Sequence, residues 1–74
     1  MKLCDGMPNK IYRVIGIDSL GYMVKTRIYD MGLVGCNFKI IININEGPVL
    51  IELRGTRLAL GRGISKKITI EEVI

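Results

Sequence analysis

Two thiols, Cys4 and Cys36, stand 32 positions apart in a chain of 74 residues that contains no histidine. Those facts close most routes to catalysis. A serine or cysteine nucleophile needs a neighbouring base, most often imidazole, and none exists here. Walker-type phosphate loops are absent, and Gly61-Arg62-Gly63 is a lone glycine pair, read as a strand end with unusual backbone angles. The carboxylates Asp5, Asp18, Asp30, Glu46, Glu52, Glu71 and Glu72 are scattered along the chain. A transition metal takes imidazole, carboxylate or thiolate ligands in fixed geometry. Candidates for that role are Cys4, Cys36, Asp5, Asp18 and Asp30, with no pair at the i, i+3 or i+4 spacing of one helix face. The cysteines are too few for a disulfide framework or a structural zinc site, so they read as reduced thiols packed as small apolar groups. The chain is expected to be no enzyme, with no resident metal or cofactor.

The basic residues are better placed for chemistry. Lysine and arginine number 11 against 7 acids, a net charge of +4. Arg54, Arg57, Arg62, Lys66 and Lys67 fall on or beside one expected hairpin, where they form a candidate partner-binding patch. Such a patch suits an acidic protein, an anionic membrane surface or nucleic acid. A nucleic-acid-binding barrel adds exposed aromatics for base stacking. The aromatics here are Tyr12, Tyr22, Tyr29 and Phe38, and none lies in the basic hairpin. An ordinary solvated face is the default reading of such charges; among binding readings a protein partner leads and a small basic nucleic-acid-binding barrel is the alternative. Tyr29, with Tyr22 and Lys25 on a helix face, is the competing docking surface.

Strands and one helix must hold these groups in place. Hydrophobic residues make up 49% of the chain, and 13 of them are isoleucine. β-Branched side chains are restricted at χ1 and suit a pleated sheet. Ile11 to Ile17 reads as a first strand. Leu20, Val24, Ile28 and Met31 recur at helical spacing, predicting a helix from about position 20 to 31 with Asp18 or Ser19 as its N-cap. Gly32 then sits where a helix ends in a left-handed residue, and Leu33 is placed to pack back on Ile28. In the next strand Phe38, Ile40, Ile42 and Ile44 share a face, joined by Val49, Ile51, Leu53, Leu58 and Leu60 across two turns. Gly55-Thr56 fits a type II′ hairpin. A helical turn near Ile64 to Lys67 and a strand from Ile68 to about Glu71 complete the chain.

Five short strands make too little sheet for a sandwich. A small, bent SH3-like barrel, mainly β, with one helix between the first and second strands, encloses a single core and protects its edges. No apolar run approaches the roughly 20 residues that cross a bilayer, and Met1 to Gly6 has no apolar stretch of signal-peptide length. One cytoplasmic domain over residues 1–74 is expected, a monomer or weak homo-oligomer with no membrane insertion.

The run Arg27-Ile28-Tyr29-Asp30-Met31-Gly32-Leu33-Val34-Gly35 resembles the signature of FeoA-type proteins, in which an Arg-Leu pair leads into a helix-ending Met-Gly-Leu or Leu-Gly-Leu and then a Pro-Gly turn. Leu3 and Gly6, the strand residues Arg13, Val14, Gly16 and Ile17, the turn Gly47-Pro48-Val49, and Gly55, Leu58-Ala59-Leu60, Arg62, Ile68 and Ile70 are similar in order and spacing. Val34 stands in place of proline, Ile28 of leucine and Ser65 of alanine, and Gly61 separates Leu60 from Arg62. The resemblance implies a non-enzymatic accessory of bacterial ferrous iron uptake that docks on the cytoplasmic part of a FeoB-type transporter. It also associates the domain with transition-metal handling, without creating ligands in this chain.

Overall fold

β-Branched runs become strands where the sequence predicts them, and the computed structural model describes residues 1–73. A 3-10 helix, Leu3–Asp5, opens the chain and precedes β1 (Ile11–Ile17), α1 (Tyr22–Asp30), β2 (Phe38–Asn43), β3 (Val49–Leu53), β4 (Thr56–Leu60), α2 (Arg62–Ser65) and β5 (Ile68–Glu72). The strands form one antiparallel sheet in the order β4-β3-β2-β1-β5. Register shifts between Val14 and Gly16 and between Ile40 and Ile42 bend it, because an extra residue in one strand increases local twist. The curled sheet wraps a core of Leu3, Tyr12, Ile28, Leu33, Phe38, Ile40, Val49, Ile51, Leu53, Leu60, Ile68 and Ile70.

The second register shift overturns part of the expected inward face. Phe38 and Ile40 are buried, but Ile42 is 43% exposed and Ile44 65% exposed. Ile40 pairs with Ile51 and Ile42 with Leu50, so two residues of β2 span one step of β3. Side-chain direction has period two, and one inserted residue reverses every later side chain.

Both ends of α1 have local causes. It starts later than its apolar spacing suggests, with Gly21 as N-cap and no side-chain cap bond. The expected caps are engaged elsewhere, since Asp18 binds the Lys2 ammonium and Ser19 adopts φ +44°. At the other end Gly32 is left-handed at φ +84°, and its N–H donates to the Tyr29 carbonyl at 3.1 Å. Leu33 is fully buried in the same cluster as Ile28, as the helix-stop reading requires.

The hairpin between β3 and β4 turns one residue earlier than expected. Leu53 pairs with Thr56, leaving Arg54 and Gly55 as the two turn residues, at φ +54° and +79°. Two positive φ values define a type I′ turn, the preferred two-residue connection, whose first position favours asparagine. Arginine there carries a Cβ penalty on the order of 1 kcal/mol. Arg54→Asn is therefore expected to raise stability by up to about 1 kcal/mol, measured as a higher urea midpoint at unchanged m-value. A lower midpoint would mean that the arginine side chain contributes more than its backbone costs. Gly61 is also a correction, since its φ of −59° and ψ of 153° are ordinary extended values.

The two edges of the sheet are treated differently. The outer side of β5 is covered by the chain's first residues, through a Lys2–Thr69 bridge and an Ile70 N–H donated to the Met1 carbonyl. Among the described residues, strand β4 pairs only with β3. No helix among the described residues is long and apolar enough to cross a membrane.

Candidate functional site

The fold splits the expected basic patch. β4 alone separates Arg54 from Arg62 by roughly 17 Å at the usual rise of a strand. Arg54 and Gly55 form the hairpin tip, and the Arg54 side chain folds back over the end of α1. A Cβ built on Gly32 would lie 3.3 Å from one of its guanidinium nitrogens. That position suits a cation, because the C-terminal end of a helix carries partial negative charge. Arg57 is exposed on the outer face of β4, with Nε 3.8 Å from the Glu52 carboxylate across the strand pair. Lys66 and Lys67 are exposed beyond α2, and Lys67 Nζ donates to the Ser19 carbonyl at 3.3 Å.

Arg62 is half-buried and turned toward the body of the domain. Its Nη1 donates to the Cys4 carbonyl at 3.2 Å, and its Nη2 donates to Asn43 Oδ1 at 3.1 Å and to the Ile44 carbonyl. Asn43 Nδ2 in turn donates to the carbonyls of Cys4 and Gly6, at 2.9 and 2.7 Å. One guanidinium and one amide thus join the 3-10 helix, the end of β2 and the start of α2. Planar, charge-assisted donors can satisfy several carbonyls from one side chain. Lys66 and Arg62 border an open cleft of about 410 Å³ with Cys4, Asp5, Asn45 and Glu46.

Tyr29 is 52% exposed and Tyr22 84% exposed, and with Lys25 and Thr26 they line a shallow groove of about 320 Å³ on α1. The other two aromatics, Tyr12 and Phe38, are core residues. A third depression, of about 210 Å³, lies between α1 and the end of β4. Val24, Ile28, Met31, Ala59, Leu60 and Ile64 line it, with Arg27 at its rim. Sequence reasoning passed over this cleft, because its walls come from residues 24 to 64 and no local pattern marks it.

Lys2 and Asp18 form the other polar link. A hydrogen bond from the Lys2 ammonium, and then its charge, hold the Asp18 carboxyl below the ordinary carboxylate range. Lys2 Nζ also donates to Thr69 Oγ1 at 3.0 Å, so the pair helps seat the first residues on β5. A depressed folded-state pKa stabilises the native state above the ordinary carboxylate range. That contribution is lost as pH falls through the folded-state value.

The metal candidates do not converge. Cys4 lies in the 3-10 helix and Cys36 in the loop after α1, both half-buried and unbonded to each other. Among the described residues no three His, Cys, Asp or Glu side chains are grouped to hold an ion. Ferrous iron titrated anaerobically into the purified protein is expected to bind weakly or not at all. Stoichiometric micromolar binding abolished by Cys4→Ser or Cys36→Ser would contradict this.

The chain matches the family model described as the FeoA domain over residues 1–72. A protein of Methanocaldococcus jannaschii described as an Fe(2+) transport protein A is 43% identical over 47 residues, which are 62% of this chain and 56% of that relative. The solution structure of the FeoA protein from Chlorobium tepidum superposes with a TM-score of 0.86 at 25% identity, covering 100% of this chain and 71% of that one. FeoA from Stenotrophomonas maltophilia, described as an SH3 domain protein, superposes with a TM-score of 0.80 at 20% identity, covering 96% and 89% of the two chains.

Proposed function

This chain belongs to the FeoA domain family, and from that premise we propose a non-enzymatic accessory of ferrous iron transport that docks in the cytoplasm on a FeoB-type transporter. The observation that carries this reading is a chain related to an Fe(2+) transport protein whose exposed side chains include basic and aromatic groups. Its exposed Arg54, Arg57, Lys66 and Tyr29 are groups that recognise an acidic surface. An accessory of this kind acts by differential affinity, shifting the transporter toward whichever conformation binds it better.

The test is titration calorimetry against the transporter's soluble cytoplasmic domain. Double replacement of Arg54 and Arg57 by alanine is expected to weaken the complex by at least tenfold while leaving the fold intact. Tyr29→Ala serves as the comparison. A loss in the tyrosine variant alone would move the contact to α1, and no complex with the unaltered chain would remove the accessory reading.

A further inference from the structure

The hairpin register determines which backbone groups of β4 are free. A two-residue turn is closed by a pair that exchanges both hydrogen bonds, here Leu53 and Thr56, and bonded pairs then alternate along the strands. Thr56, Leu58 and Leu60 therefore direct N–H and C=O toward β3. Arg57 and Ala59 direct theirs outward, both residues are exposed, and neither makes a backbone bond elsewhere among the described residues. The opposite edge of the sheet is covered by Met1 and Lys2. An uncovered edge beside a covered one is a template for another strand.

The surroundings of that edge specify what would occupy it. Beside the end of β4 lies the apolar cleft between Ala59, Leu60, Ile64 and the α1 residues Val24, Ile28 and Met31, with room for an aliphatic side chain. On the outer side lies Arg57, only loosely paired with Glu52. At the rim Arg27 has no ion partner among the described residues. A strand alternates its side chains between two faces, so an added segment presents one set to the cleft and the other to Arg57. We propose that β4 receives an extended segment of the transporter, added as a sixth strand with aliphatic residues facing the cleft and carboxylates facing Arg57. The proposal rests on the accessory reading and names its contact. A second copy fits less well, because pairing β4 with β4 brings arginine toward arginine in two chains of net charge +4.

The probe is a blocked heptapeptide with glutamate at odd positions and valine, leucine and valine at even ones, titrated into the intact 15N-labelled protein. The Arg57 and Ala59 amides are expected to shift and to exchange with water at least tenfold more slowly. Ala59→Pro removes an outward donor without removing a ladder bond, and is expected to weaken binding at least tenfold. Arg57→Glu, which leaves the backbone donors in place, is expected to do the same and carries the test if the proline variant fails to fold. Both effects should recur with the transporter's cytoplasmic domain. Absence of peptide binding, shifts confined to Tyr22 and Tyr29, or protection of β4 by self-association alone would each overturn the proposal. Undiminished affinity of the cytoplasmic domain for both variants would overturn strand addition and leave the accessory function standing. Failure of that domain to bind the unaltered chain would overturn both.

Discussion

Ile51→Asp is expected to abolish the native fold. Ile51 is fully buried in β3, between Ile40 of β2 and Leu58 of β4. Its neighbours are aliphatic and offer a carboxylate neither a cation nor a donor. Burying an unpaired charge costs several kcal/mol or more, even when the group protonates to escape it. Small domains have only about 5–15 kcal/mol of total stability, and one this short lies near the lower end. The expected readout is an amide spectrum collapsed to random-coil dispersion at 25 °C. Ile51→Val, which removes one methylene, should retain the native spectrum and cost about 0.5–1.5 kcal/mol. A native-like spectrum from the aspartate variant would show that β3 does not form the centre of the core.

Arg62→Lys should destabilise almost as strongly as Arg62→Ala, by about 2–3 kcal/mol. The guanidinium serves three acceptors from one plane, two carbonyls and the Asn43 side chain. An ammonium keeps the charge but not the fork and gives up most of these charge-assisted bonds, although the Cys4 carbonyl keeps its bond from Asn43 and the Ile44 carbonyl its bond from the Gly47 N–H. For a domain of this size the loss lowers the melting temperature by roughly 10–20 °C. Asn43 shares the Cys4 carbonyl, so Asn43→Ala and Arg62→Ala are expected to be non-additive in a double-mutant cycle. A lysine variant that melts with the parent would mean that water replaces these bonds freely. Any loss of partner binding in an Arg62 variant must therefore be weighed against its stability before it is read as a lost contact.

The strands were legible where pattern and chemistry agreed. Ile11 to Ile17 stood out as a β-branched run, and Gly32 with Leu33 marked the helix stop by a requirement that few residues meet. The phase of β2 was not legible. Ile40-Ile41-Ile42 has no polar residue to reveal where the alternation slips, so the bulge left no local trace. The β3–β4 turn was ambiguous for a related reason. Glycine suits the first position of a type II′ turn and the second of a type I′ turn, so Gly55 permitted both frames and strand pairing chose between them. Arg62 was read as a surface cation because its acceptors are mostly backbone carbonyls, which have no signature in the sequence. The 3-10 helix at Leu3–Asp5 went unread for the same reason, as Leu3 finds its burial only against strands formed far along the chain. Both sides of the cleft beside β4 were predicted as elements, but their meeting is tertiary.

The covering of β5 by residues 1 and 2 also bears on the order in which the chain can fold. β2, β3 and β4 form a meander of short-range pairs that can zip from two tight turns. β1 is different, since most of its register is with β5, from Tyr12 opposite Glu72 to Ile17 opposite Ile68, and Lys2 lies 67 positions from its partner Thr69. Closing so long a loop carries an entropic penalty before any contact rewards it, and such topologies fold slowly. On the ribosome the first strand emerges long before its main partner is made. Until β5 arrives, Arg13, Val14, Gly16 and Ile17 lack their ladder partners, so that stretch of the first strand is still open to other strands.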